Sequence, residues 1–301
     1  MLIIFCADPV DQETPDAMFI DEVAAASRAG LRYVLLDYEA LTEQKNIARA
    51  VREVPVQDDQ ETAVYRGWVL NPPQYEALYD ALLSRNIRLI NQPQQFRHAQ
   101  HLPESLPIIR DHTPETVFME TDGDDISYTT VMQLLMRFSG AALFLRDYAR
   151  AERQYWYQAC YISSSSDETA VRNTINRLLE LRGNKLEGGL VFREFVEFQP
   201  LVEQHSRYRM PLVKEFRFFF LHHQPIATVH YWNTPDHSLD EAPDPAQFAA
   251  VTEQVRSNFF TLDVAQRLDG TWMILDLGDA QVASLPDMTD LDDFYRAIAG
   301  V

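Results

Sequence analysis

The sequence predicts an α/β half followed by an α+β half. Three observations carry that prediction: a strand–helix–strand opening, a later half of alternating strands joined by tight turns, and a balance of 46% hydrophobic to 24% charged residues over 301 positions. A chain of that length holds about two domains at roughly 150 residues each, and that balance suits a folded chain with a sizeable core.

Residues 2–7 (LIIFCA) are an apolar run of strand length. After the turn-rich ADPVDQETPD, a helix is predicted from Asp16, with Thr14 as cap, Pro15 at its first position, a stripe of Phe19, Val23 and Ala26, and Gly30 as its stop. Tyr33–Asp37 (YVLLD) is the second strand, so the chain opens as βαβ, the start of an open parallel sheet. A strand at Ala63–Leu70 leads into a helix over Pro72–Arg85, capped by Asn71 with Tyr75, Leu78 and Leu82 on one face, and Ile87–Ile90 follows as a strand. These residues make a small Rossmann-like domain. Ala7-Asp8-Pro9 stands where a glycine-rich phosphate loop is needed, which excludes dinucleotide binding at that turn.

His101–Asp125 mixes proline, acids and short apolar pieces and reads as the connection between domains. Beyond it, Ala141–Arg146, Tyr155–Ile162 and Leu190–Phe198 read as strands, and Glu168–Arg182 as a helix ended by Gly183. Val213–Leu221 and Ile226–Trp232 form a hairpin around His222-His223-Gln224-Pro225. Pro245–Ser257 is a helix with Phe248, Val251 and Val255 inward, and Phe259–Val264 with Thr271–Leu277 is a second hairpin. Antiparallel strands with helices laid on them make this half α+β.

The formal net charge is −19, and only 3 of the 26 basic residues are lysine. Such an excess repels nucleic acid and anionic lipid, so no extended nucleic-acid surface is expected. The longest apolar runs fall far short of the ~20 residues of a membrane span. Two cysteines, Cys6 and Cys160, are too few for a disulfide framework; with no leader pattern before the first strand, the expected location is the cytoplasm. The acidity is uneven: residues 137–217 hold 13 Arg and Lys against 10 Asp and Glu.

In the last hairpin, Asp269-Gly270 is a strong two-residue turn signal. It sets Leu268 opposite Thr271 and, with no bulge between, Asp263 opposite Asp276, Cβ atoms roughly 4.5–5.5 Å apart on one sheet face. Like charges so placed destabilise the pair and raise one pKa unless a cation bridges them. A hard divalent ion with oxygen ligands removes the conflict. Asp279, three residues past Asp276, is a third candidate ligand, although a regular strand turns it to the other face. The alternative is a set of solvated acids in an acidic protein.

Arg146, Arg150 and Arg153 follow a strand at loop spacing, and guanidinium forks suit phosphate oxygens; a solvated loop pairing with Asp147 and Glu152 is the other reading. In VKEFRFFFL, alternation puts Phe216, Phe218 and Phe220 on one face and Glu215 and Arg217 on the other. In LVFREFVEF, Arg193 and Glu197 share one face while Glu194 shares the other with Phe192 and Val196. Together these describe a polyphosphate cleft: cations for phosphates, acids for Mg²⁺ and an apolar slot for a base. Ser163–Ser166 lacks a G-x-S-x-G context, no Cys/His spacing suggests zinc, and His98 with His101 reads as surface.

Several stretches resemble the ATP-grasp superfamily, and within it the bacterial and phage clade named for one conserved Arg and two Lys. They are Tyr65-Arg66-Gly67-Trp68, Leu89-Ile90-Asn91-Gln92-Pro93, LRDYAR at 145–150, GGLVFREFV at 188–196, Glu215-Phe216-Arg217, NFFTLDVA at 258–265 and WMILDLGDAQVASLP at 272–286. A more distant similarity is to the eukaryotic ATP-grasp chaperones that assemble a translation initiation factor. The resemblance implies a Rossmann-like pre-ATP-grasp domain over 1–112, then a two-lobed ATP-grasp domain with antiparallel sheets over 113–301, its lobes meeting near 187–188. It implies ATP and Mg²⁺ as cofactors, with the metal on Asp263, Asp276 and Asp279. Arg193, Glu194, Phe195 and Val196 would lie along the adenine, Glu215 near the ribose and Arg217 near the phosphates. The clade's two lysines fall on Arg146 and Arg150, and Arg217 and Arg146 are the expected catalytic residues. Ala280 and Ala283 replace two glycines of the last element. The implied activity is a ligase joining a carboxylate to an amine through an acylphosphate, on small-molecule, peptide or protein substrates. Tyr65, Arg66 and Trp68 stand on the substrate side, with Arg66 as a carboxylate clamp or, alternatively, as ordinary packing with one ion pair. A rival reading is an ATP-binding assembly chaperone acting on a protein partner.

Overall fold

The computed structural model describes residues 1–201, 210–232 and 238–300. Its first layer is a parallel sheet of β1 (Leu2–Cys6), β2 (Arg32–Leu36), β3 (Glu61–Arg66) and β4 (Ile87–Leu89) in the order β2-β1-β3-β4. All five residues of β1 are buried, as a central strand covered on both faces requires. The connecting helices are α1 (Ile20–Arg28), α2 (Tyr38–Thr42), α3 (Ile47–Ala50) and α4 (Pro72–Leu83), then α5 (Pro93–Gln100) and α6 (Leu102–Ile109). Asn71 caps α4 in a reciprocal box with Gln74. The cap near α1 is Asp16 rather than Thr14: its carboxylate accepts from the Met18 amide, and a short turn over Ala17–Phe19 delays α1 to Ile20.

His101–Asp125 is not a bare connection. Leu102, Leu106 and Ile109 share one face of α6 and join the core of the third sheet, with Pro103 in the first turn, where no amide hydrogen is needed. Thr116–Glu120 is β5, paired antiparallel to a later strand. His98 is also not at the surface; α5 is packed by α4, α6 and a strand of the third sheet, which turns His98 inward, while His101 lies 3.4 Å from Glu187.

The second sheet adds β6 (Leu143–Asp147), β7 (Tyr161–Ile162) and β8 (Gly189–Glu194) in the order β5-β8-β6-β7, all antiparallel and covered by α7 (Tyr128–Leu135) and α8 (Glu168–Arg182). The strand expected over Tyr155–Ile162 shrinks to its last two residues. Trp156, Ala159 and Cys160 are buried at helical spacing, and residues 153–160 coil accordingly.

The third sheet is β9 (Glu215–Leu221), β10 (Gln224–His230), β11 (Phe259–Gln266) and β12 (Trp272–Asp279), in the order β10-β9-β11-β12 and antiparallel throughout. The β9–β10 turn is tight because His222 and His223 both adopt left-handed backbone, φ 48° and 64°. The helix predicted over 245–257 breaks into a turn at Pro245–Phe248 and a short α9 (Ala249–Thr252). The last helix, α10 (Leu291–Ala299), returns to the first layer: Phe294, Tyr295 and Ile298 share one core with β1, β3 and Phe219 and Phe259 of the third sheet.

Gly189 starts β8 at φ 151°, and a Cβ there would lie 2.1 Å from the Met119 carbonyl oxygen of β5. Gly189→Ala is expected to cost about 2 kcal/mol or more, read as a lower denaturation midpoint; an unchanged midpoint contradicts this packing.

Candidate active site

The β11–β12 hairpin builds the centre of the site by an unexpected route. Its loop runs from Arg267 to Thr271, with the Arg267 amide donating to Thr271 O at 2.8 Å and Gly270 to Arg267 O at 2.9 Å. Asp269-Gly270 is therefore not a two-residue turn; Gln266 faces Trp272 and Val264 faces Ile274. A bulge at Leu275 then shifts the register by one, which brings Asp263 opposite Asp276 after all.

Neither carboxylate is a solvated surface acid. Arg217 stands opposite Asp263 on β9 and donates Nε to Oδ1 at 2.7 Å and Nη2 to Oδ2 at 2.8 Å. Arg146, from β6 across the cleft, donates to Asp276 Oδ2, while Asp276 Oδ1 is buried with no partner among the described residues. Asp279 is 1% exposed; its Oδ2 accepts from Asn91 Nδ2 at 2.6 Å, and its Oδ1 from the Gln281 amide at 3.0 Å and Nε2 at 3.1 Å. Burial pushes its pKa up to about 7 against those bonds. Among the described residues, no three His, Cys, Asp or Glu side chains are close enough to share a metal ion: Asp263 and Asp276 meet, and Asp279 points into a separate polar pocket with Asn91.

The loop after β6 is shaped by Asp147, which accepts from the amides of Ala149 at 2.8 Å and Arg150 at 2.6 Å. Arg146 is strapped over it, donating to Asp147 O at 3.1 Å and to Ala149 O. The acids of this loop do not neutralise its own arginines: Arg182 of α8 lies 2.6 Å from Asp147 and 3.3 Å from Glu152. Arg150, its side chain 42% exposed, lies 4.0 Å from Glu187.

Two chambers open from this centre. One, of about 490 Å³, has an aromatic wall of Phe144, Trp156, Tyr161, Phe195 and Trp232, and is bordered by Arg193, Glu194, Val196 and Glu215. The other, of about 330 Å³, gathers Arg146, Arg150, Arg153 and Arg217 with Asp263, Asp276 and Asp279. Arg146, Arg153 and Asp276 line both, so the chambers form one cleft between the second and third sheets. In the first, Arg193 donates to Leu275 O at 2.6 Å and to Thr113 Oγ1, and burial pulls its pKa down to about 10. Glu215 Oε1 is buried without a partner among the described residues, and burial pushes the pKa up to about 8 although Arg153 and Arg217 oppose it.

The Tyr65-Arg66-Gly67-Trp68 element does not reach the cleft as a substrate clamp. Arg66 is 1% exposed and donates to both Glu22 oxygens at 2.9 Å, to Ala280 O at 2.7 Å and to Ala283 O at 2.8 Å, which leaves no free fork for a ligand carboxylate. Tyr65 is buried, its hydroxyl donating to Trp68 O; Trp68, 39% exposed, donates to Asp16 at 2.8 Å, and it is Val69 that lines the charged chamber. Sequence reasoning assigned no role to Asn91, Gln281, Tyr231 or the aromatic wall, whose positions depend on contacts remote in sequence. The Asn91 and Gln281 side chains, both within the stretches that carry the resemblance, were the available signal.

Glu215 makes the ligand-free protein pH-sensitive. Its pKa is near 8 in the fold against an ordinary value of 4.5, so the unfolded chain releases the proton first and stability falls as pH rises between those values, by up to about 1.4 kcal/mol per pH unit. Asp279 acts in the same direction up to about pH 7. Glu215→Gln removes its share, so urea denaturation across this range should show a shallower slope; an unchanged slope contradicts the buried, unpartnered carboxyl.

Residues 138–298 match the ATP-grasp domain model for family 3 of the clade named for one Arg and two Lys. Among solved structures, D-cycloserine synthetase DcsG is similar with TM-score 0.60 and 16% identity, over 100% of this chain and 99% of that one. A RimK domain protein ATP-grasp from Sphaerobacter thermophilus DSM 20745 is similar with TM-score 0.60 and 14% identity, over 99% and 98%. The ATP-grasp ligase PsnB, complexed with a phosphomimetic variant of its minimal precursor, Mg and ADP, gives TM-score 0.57 and 11% identity, over 99% and 96%. No curated protein matches. The solved structures share the fold, and because the family match spans more than half of the chain and contains both Asp263 and Asp276, the protein belongs to the ATP-grasp domain family, in family 3 of that clade.

Proposed function

We propose that the cleft binds Mg·ATP and that the protein is an ATP-dependent ligase joining a carboxylate to an amine. The observation that carries this reading is the continuity of the cleft: an aromatic chamber sized for a base opens, past Arg146, Arg153 and Asp276, into a chamber of four arginines and three aspartates. The bound nucleotide and Mg of the PsnB complexes support it, as does the clade's order of motifs from Tyr65-Arg66-Gly67-Trp68 to the 272–286 element.

The donor set fits a hard divalent ion. Asp263 and Asp276 present opposed carboxylates, and Asp276 Oδ1 is buried and unpartnered among the described residues. These two would hold Mg²⁺; Asp279 joins them only by releasing Asn91 and Gln281. When bound, the ion offsets phosphate charge and polarises phosphoryl oxygens. Arg146 and Arg217 are the cations nearest the carboxylates and turn to phosphate oxygens as these enter. Arg193 to Val196 border the base, and Glu215, largely protonated at neutral pH, faces the sugar. A substrate carboxylate oxygen attacks the γ-phosphorus and ADP leaves; the amine then attacks the acyl carbon and phosphate leaves. No protein nucleophile is needed, so catalysis rests on positioning and charge.

Phosphate release from Mg·ATP, followed while amino acids, small peptides and candidate proteins are added, tests this. A carboxylate–amine pair should raise release, and Asp276→Asn should lower it by about a hundredfold or more while abolishing the ATP-induced thermal shift. If no acceptor stimulates release and one cellular protein binds tightly, the assembly-chaperone reading replaces the ligase.

A further inference from the structure

Five arginines border the cleft, and four are already engaged. Arg146 is tied to Asp276 and to two carbonyls of its own loop, Arg217 to both oxygens of Asp263, and Arg193 to Leu275 O and Thr113. Arg150 lies near Glu187 at the open edge. Arg153 differs: among the described residues it has no hydrogen bond or ion pair, and it lines both chambers at their junction. Its guanidinium carbon instead sits 5.0 Å from the Tyr231 ring centre and 5.5 Å from that of Trp232. Arg217 also stacks on Tyr231, at 4.8 Å, so one ring fixes two guanidinium groups. Stacking holds a guanidinium by its face and leaves the N–H edge available. A second polar group on the same wall, Trp232 Nε1, is buried and lacks a partner among the described residues.

We propose that Arg153 contacts the polyphosphate chain of the nucleotide where it passes between the chambers, an assignment that rests on the nucleotide reading above. A ligand with its base against the aromatic wall and its terminal phosphate beside Asp263 and Asp276 must run past the residues the chambers share. Of the two cations there, Arg146 meets phosphate only by giving up bonds it already holds, whereas Arg153 gains hydrogen bonds and loses none. The aromatic pair orients Arg153, and the phosphate supplies the missing acceptors.

Calorimetric titration of the wild type, Arg153→Met and Arg153→Lys with adenosine, ADP and ATP in the presence of Mg²⁺ tests the assignment, with ligand-free melting temperatures measured alongside. Arg153→Met should weaken ADP and ATP by about tenfold or more with adenosine binding and melting temperature unchanged, and Arg153→Lys should recover part of the loss. Unchanged ATP affinity in Arg153→Met overturns the assignment, as does an equal loss for adenosine or a lowered melting temperature, which mark a structural role. A wild type that binds none of the three removes the nucleotide reading itself, and the assignment with it.

Discussion

Two carboxylates on directly opposed strand positions repel one another, and the rest of the cleft is organised around satisfying that pair. Arg217 meets Asp263 from the neighbouring strand of the same sheet, and Arg146 meets Asp276 from the other sheet. The second contact spans the cleft, so charge compensation at one strand position also ties the second sheet to the third. Removing one member of a buried ion pair costs roughly 3–5 kcal/mol, which gives these contacts a purpose in the ligand-free protein: they hold both lobes in register. The same arrangement suits the proposed ligand. A divalent cation and a polyphosphate entering together leave every charge paired, carboxylates with the cation and arginines with phosphate.

The parallel sheet contributes a fixed wall to this arrangement. Arg66 grips the carbonyls of Ala280 and Ala283, Gln281 accepts from the Tyr65 amide at 3.1 Å and donates to Tyr75 Oη at 2.8 Å, and Asn91 accepts from the amides of Asn258 and Phe259 while donating to Asp279. Buried polar groups satisfied from two layers specify one docking geometry. The segment 280–284 borders the charged chamber, so these contacts set the position of a cleft wall from the far side of the molecule. Arg66, expected to clamp a substrate, instead clamps the chain that shapes the site.

The legible parts of the fold were those with local causes. The Asn71 cap, the fifteen-residue helix ending at Gly183 and the alternation that sets Glu215 and Arg217 on one face of β9 are written in neighbouring residues. The opposed aspartates were reached through a turn that does not exist; a longer loop and a bulge at Leu275 cancel, and neither leaves a clear mark in the residues. Tyr155–Ile162 looked like a strand because its aromatic composition outweighed the helical spacing of Trp156, Ala159 and Cys160. Arg153 and Tyr231 lie 78 positions apart in the numbering, and their stacking depends on how the two sheets face each other. Asp279 was grouped with the other aspartates by proximity in sequence, whereas the strand's alternation sends it to Asn91.

The most direct test of the account is a crystal structure with Mg²⁺ and a non-hydrolysable ATP analogue. The account predicts the base against Trp156 and Phe195, the metal on Asp263 and Asp276, and Arg146 turned from Asp276 to a phosphate oxygen. A nucleotide bound elsewhere, or one in the cleft with both arginine–aspartate pairs intact and no metal between the carboxylates, would contradict it.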